Sequence, residues 1–168
     1  MNQTNTLEER PTLLNGRSGS ALTPAQAPLN RPTEKPRPRL GCAGLIRSGD
    51  RILLGRRNKE PNRGLWVLPG GGVEFGESYT KTLQRELLEE AGIEVDVQDV
   101  FNVYELINPP GEHRVIIYVN GSYRSGEPTA SSDLSDVRFF RADELKTMSH
   151  DGLISPFVEK VLREAALL

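Results

Sequence analysis

The sequence predicts an α/β fold, a mixed sheet sandwiched between helices, preceded by a Pro-rich tail. Three observations lead there. Short apolar runs bounded by turn residues recur from Leu40 onward, a well-capped amphipathic helix interrupts them over residues 79–91, and two further helical patterns close the chain. A length of 168 residues with 36% hydrophobic side chains suits one domain with an ordinary core.

Residues 1–38 hold Pro11, Pro24, Pro28, Pro32, Pro36 and Pro38, six of the chain's 12 prolines, among Asn, Thr, Ser, Arg and Gly with no sustained period. That composition predicts a flexible extension; an arm packing on a partner subunit is the sharper alternative. The domain proper is placed at 39–168. Leu40 to Ile46 and Arg51 to Gly55 read as two strands around the turn Ser48, Gly49, Asp50. Arg56 to Arg63 reads as a loop, and Leu65 to Leu68 as a strand that delivers the chain into a glycine loop, Gly70, Gly71 and Gly72.

Ser78 is placed to cap a helix from Tyr79 to Ala91, with Gly92 as its left-handed terminator and Leu83, Leu87 and Ala91 as its buried stripe. Ile93 to Leu106 alternates as a strand, Asn108 to Gly111 turns, and Val115 to Val119 returns. Val137 to Phe140 reads as a further strand. Ala142 to Met148 and Ser155 to Ala166 read as closing helices, the second with Phe157, Val158, Val161 and Leu162 inward.

The chemistry concentrates on the first helix. At 100° per residue, Glu86, Glu89 and Glu90 project from one sector of about 100°, beside the stripe that anchors the helix. Like charges at these spacings repel by a few tenths of a kcal/mol per pair, and no lysine lies among them. A hard divalent cation would compensate: Mg²⁺ prefers oxygen ligands and sits between carboxylates and substrate phosphates. Arg85, four residues before Glu89, is placed to orient a carboxylate of the cluster. By itself, such a charge run is also what an ordinary solvated helix face looks like.

The spacing separates the two readings. Gly71, five residues, Glu77, seven residues, then Arg85, Glu86, Leu87, Leu88, Glu89, Glu90, Ala91, Gly92 and Ile93 resembles the Nudix box at every specified position. At ordinary residue usage, such a match arises by chance with odds on the order of one in ten million. The lead-in Gly64 to Gly70 is also similar to the family's, and the order of strands and helices is similar to the Nudix α/β/α sandwich.

The resemblance implies a hydrolase cutting a phosphoanhydride bond in a nucleoside diphosphate linked to another group, such as ADP-ribose, another nucleotide sugar or a nucleoside triphosphate. It implies that Glu86, Glu89 and Glu90, with the carbonyl near Gly71, bind Mg²⁺, with Mn²⁺ as a substitute. Glu86 is then also the candidate base, and Glu77 and Arg85 support the cluster. Such ions neutralise the diphosphate, polarise the attacked phosphorus and ease deprotonation of the attacking water.

Around the box, Gly70 and Gly72 let backbone approach phosphate without a Cβ in the way. Arg56 and Arg57 are candidates to meet phosphate, and equally an exposed pair. Trp66 and Phe75 are candidates to stack on a base, and equally core. A further acidic ligand or base falls to Glu112, Asp133, Asp136 or Asp151, with no choice among them. His113 is a candidate substrate contact or plain surface, and Pro109 lies sixteen residues after Ile93, where ADP-ribose-cleaving members tend to carry a proline.

Net charge is −2, with 21 basic and 23 acidic side chains, which disfavours nucleic acid and anionic lipid as main partners. The lone Cys42 forms no internal disulfide and reads as a buried small hydrophobe. With no stretch of roughly 20 apolar residues, a cytoplasmic protein is expected. Two other functions stay in view: a Nudix-fold module that senses a nucleotide without cutting it, and removal of RNA end caps. A homodimer is left open.

Overall fold

The computed structural model describes residues 37–108 and 111–168. The reading of the tail therefore lies outside the described residues except at Arg37 and Pro38, and so does that of Pro109. The elements run β1 (Arg39–Ser48), β2 (Arg51–Arg57), β3 (Trp66–Val67), β4 (Gly70–Gly72), α1 (Tyr79–Ala91), β5 (Ile93–Asn108), β6 (Glu112–Gly126), β7 (Leu134–Arg141), α2 (Ala142–His150) and α3 (Pro156–Glu164).

Seven strands form one mixed sheet in the order β3-β2-β1-β6-β5, with β4 also on β1 and β7 on β2. β1 and β6 run parallel from Arg39↔Arg114 to Arg47↔Ser122, and the other pairs are antiparallel. β1 meets β2 at one end through Arg47↔Ile52 and β4 at the other through Gly41↔Gly72. β1 therefore joins the opening hairpin to the glycine run within the sheet.

Alternation along the strands fills two cores, as a period of two demands. Ala43 and Leu45 of β1, with Ile52 and Leu54 of β2, face Leu145 of α2 and Val158, Val161 and Leu162 of α3. Cys42, Ile46 and Leu53 point the other way, onto Leu83, Leu87 and Ala91 of α1. Helices thus cover both faces, and the expected sandwich is observed.

Several strands differ from the sequence reading. The glycine run is not a loop but a strand, β4, whose partners Gly41, Cys42 and Ala43 lie some thirty residues earlier. β6 runs to Gly126, well past Val119, because its polar second half still pairs with β5. β7 starts at Leu134, and β3 is only two residues long.

Candidate functional site

α1 is held by its caps and its stripe. Ser78 Oγ accepts from the Lys81 amide at 3.3 Å, and Gly92 takes φ 68°, the left-handed value that ends the helix. Leu83, Leu87 and Ala91 are fully buried, which fixes the rotation of the helix and so the direction of its carboxylates. Glu86 is aimed at β4. A Cβ on Gly71 would stand 2.2 Å from the Glu86 Cδ, so only glycine leaves room for that carboxylate against the strand.

Arg85 ties the cluster together. Its Nε and Nη2 each donate at 3.0 Å to the two oxygens of Glu77, a bidentate pair. Its Nη1 donates to Glu86 Oε1 at 2.9 Å and lies 3.5 Å from Glu89 Oε2, and Nη2 also reaches the Gly72 carbonyl at 3.3 Å. Thr82 donates to Glu77 at 2.7 Å. Arg85 first, then Thr82, hold the Glu77 carboxyl down at about 2. The Nη1 contacts mean that one guanidinium bridges Glu86 and Glu89.

Glu90 differs from its neighbours. It is 5% exposed, and its carboxyl is pushed up to about 7, first by burial, then by the charges of Glu86 and Asp133. Arg57 and the Gly70 amide oppose this only in part. Cys42, paired with Gly71 across β1 and β4, donates its thiol to the Tyr79 carbonyl at 3.6 Å and is pushed up to about 11, chiefly by burial. At neutral pH it is a buried thiol, not a nucleophile.

A divalent ion suits this donor set. Glu90 is a buried carboxylate beside two other acids with too little positive charge around it, and the Gly71 backbone leaves a cradle at Glu86 that a Cβ would fill. Among the described residues, however, no three acidic, His or Cys side chains converge closely enough to chelate an ion as they stand. Arg85 occupies Glu86, and Glu89 points outward with its side chain 58% exposed. As placed, the carboxylates of Glu86, Glu89 and Glu90 are thus kept from converging.

A cleft of 720 Å³ opens beside β4. Gly70, Gly71, Gly72, Arg57 and Asp133 line it, as do Glu112, Arg114 and Phe157 farther along β6 and at the start of α3. The loop carrying Asp133 is fastened to the carboxylate helix, since the Ser131 amide donates to the Glu90 carbonyl at 3.0 Å and the Thr129 amide to the Ala91 carbonyl at 2.9 Å. On its other side Asn58 clasps the same loop: its amide donates to the Asp133 carbonyl at 2.9 Å and its Nδ2 to the Ser132 carbonyl at 2.8 Å.

The remaining sequence candidates separate. Arg57 lines the cleft, 3.9 Å from an Asp133 oxygen, whereas Arg56 does not line it and donates to the Gly64 carbonyl at 2.9 Å. Glu112 and Asp133 line the cleft. Asp136 is engaged by Arg138, and Asp151 ends α2 beside His150, so neither lines it. His113 is bound to Glu105 at 2.8 Å, also outside. Trp66 is core, 6% exposed and packed edge-on to Phe140 at 4.8 Å, which removes it as a base-stacking group, while Phe75 is fully exposed. Sequence reasoning missed Lys59 and Arg114, both at the cleft, because a lysine in a polar loop and an arginine in a strand carry no local signal of what they face.

Comparison with known proteins gives a consistent family. The model of the NUDIX domain matches residues 35–161. An ADP-ribose pyrophosphatase of Methanocaldococcus jannaschii is 31% identical over 128 residues, covering 76% of this chain and 72% of that protein. An NAD-capped RNA hydrolase of Haemophilus influenzae is 31% identical over 102 residues, but the match spans only 59% of this chain and 38% of that protein. The crystal structure of a MutT NUDIX hydrolase from Burkholderia pseudomallei superposes with a TM-score of 0.67 at 30% identity, covering 76% of this chain and 98% of that one.

Proposed function

This chain belongs to the NUDIX family of hydrolases and is a nucleotide pyrophosphatase, and on that footing we propose that it cleaves the diphosphate of ADP-ribose or a related nucleotide sugar with Mg²⁺ held by Glu86, Glu89 and Glu90. The observation that carries the reading is the packing of Glu86 against Gly71, with buried Glu90 beside it, next to a cleft of 720 Å³. That volume is in the range that encloses a ligand of nucleotide size. The Methanocaldococcus jannaschii relative supports ADP-ribose over a triphosphate as the first substrate to try.

When bound, the cation neutralises diphosphate charge and makes water easier to deprotonate. Glu86 is the proposed base, and Arg85 positions it, since one guanidinium grips Glu77 with two nitrogens and Glu86 with a third contact. The Gly71 carbonyl completes the proposed ligand set. The open side of Gly72, where a Cβ would meet nothing within 4 Å, lets the diphosphate approach the backbone, and Arg57 balances its charge. Asp133 is the proposed further acid, because of the four candidates it both lines the cleft and acts on Glu90. Free, buried Cys42 supports a reducing, cytoplasmic setting, and among the described residues no helix is long and apolar enough to cross a membrane.

The test is a panel of ADP-ribose, nucleotide sugars, nucleoside triphosphates and dinucleoside polyphosphates with Mg²⁺, products resolved by chromatography. ADP-ribose should yield AMP and ribose 5-phosphate. Glu89→Gln and Glu90→Gln should each lower turnover by about 10²-fold or more with the fold intact. Nucleotide binding without turnover across the panel would instead make the chain a sensor.

A further inference from the structure

Resting on the reading above, we propose that Lys59 is a substrate-binding residue of this reaction: its ammonium is held by Asp133 in the free protein and passes to a phosphate oxygen of the substrate, leaving Asp133 to turn toward the cation. Three observations converge on it. Lys59 forms an ion pair with Asp133 and lines the same cleft as Gly70, Gly71 and Gly72. Its side chain is 54% exposed, which leaves the ammonium room to move.

The backbone on both sides of the pair is fixed, so the ammonium can move while its loop stays in place. Arg57 Nε donates to the Pro61 carbonyl at 3.1 Å, the Gly64 amide donates to the Arg57 carbonyl at 2.8 Å, and Asn58 holds the loop of Asp133 through two hydrogen bonds. Asp133 in turn is tied to the end of α1, through the bond from Ser131 to the Glu90 carbonyl. A cation attracted to Glu86 and Glu90 therefore competes with Lys59 for one carboxylate, and a diphosphate in the cleft offers the displaced ammonium a new partner.

The prediction has opposite signs in two readouts. Lys59→Met should tighten Mn²⁺ binding, measured by calorimetry without nucleotide, by about threefold or more, because Asp133 loses the nearer of its two cationic partners, Arg57 remaining at 3.9 Å. The same change should raise KM for ADP-ribose, or for whichever member of the panel turns over best, by about tenfold with kcat within twofold, since a contact shared by bound substrate and transition state is lost. Lys59→Arg should restore KM. In the background of Asp133→Asn, Lys59→Met should no longer change Mn²⁺ affinity. An unchanged Mn²⁺ affinity, an unchanged KM, or a loss confined to kcat overturns the proposal while wild-type Mn²⁺ binding and turnover leave the parent reading standing. A wild-type protein that binds no Mn²⁺ overturns both.

Discussion

Replacing Glu90 with Gln in the metal-free protein should raise its stability at pH 8. Burial, then Glu86 and Asp133, push the Glu90 carboxyl from 4.5 to about 7. A folded-state value above the unfolded one means that the fold favours the neutral acid, so the penalty is absent below about pH 4.5, grows between there and pH 7, and is complete above it. The displacement corresponds to roughly 3 kcal/mol at pH 8. Gln has the same shape and no charge, so most of that penalty should disappear, which for a domain of this size amounts to a Tm rise on the order of 5–10 °C. Urea and thermal unfolding with EDTA at pH 5 and pH 8 measure it. Adding Mg²⁺ should reverse the order, stabilising the native protein but not the variant. A variant no more stable than the native protein at pH 8, or with the same difference at both pH values, would refute the argument that Glu90 is an uncompensated buried charge.

The three glycines of β4 should fail in three different ways. Gly70→Ala puts a Cβ 2.2 Å from the Cys42 carbonyl oxygen at φ 153°, against backbone that cannot yield, so unfolding titration should show a loss of roughly 2–4 kcal/mol. Gly71→Ala meets the end of the Glu86 side chain instead, so circular dichroism and Tm should change little while turnover falls by about 10²-fold; intact activity would contradict the proposed placement of Glu86. Gly72→Ala meets nothing and should leave stability within about 0.5 kcal/mol. Glu77, held down at about 2 by Arg85 and then Thr82, gives stability that is complete above the ordinary carboxylate value and lost as pH falls toward 2. Glu77→Gln should therefore be less stable than the native protein at pH 5, with the gap closing on acidification; parallel stability curves from pH 5 to 2 would contradict the ion pair.

What could be read in advance was local or strictly periodic. Ser78, the Leu83, Leu87, Ala91 stripe and Gly92 place α1 to the residue, since capping, a 3.6 period and a left-handed stop act within a few residues of chain. β4 was not legible, because three glycines carry no alternation and their partners lie in β1. Arg56 and Arg57 are equivalent in sequence, where the apolar run of β2 ends at Gly55. The strand runs to Arg57 with a register shift between the two residues, and of the pair Arg57 lines the cleft. Glu112, Asp133, Asp136 and Asp151 are indistinguishable by type, and their places in the fold separate them: the start of β6 and the loop before β7 bring Glu112 and Asp133 to the cleft, whereas Asp136 within β7 is engaged by Arg138 and Asp151 ends α2. The spacing of Arg85 predicts that it orients a carboxylate of the cluster, but not that one guanidinium bridges Glu86 and Glu89 and keeps the acids from converging.

Hydrolysis as proposed requires a cation at Glu86, Glu89 and Glu90 beside β4. Crystals soaked with Mn²⁺ and a non-hydrolysable ADP-ribose analogue, measured at the manganese absorption edge, test it most directly. The predicted anomalous peak lies among the oxygens of those three carboxylates and the Gly71 carbonyl, in contact with the diphosphate. A peak away from those oxygens, or none with the analogue in place, would contradict it.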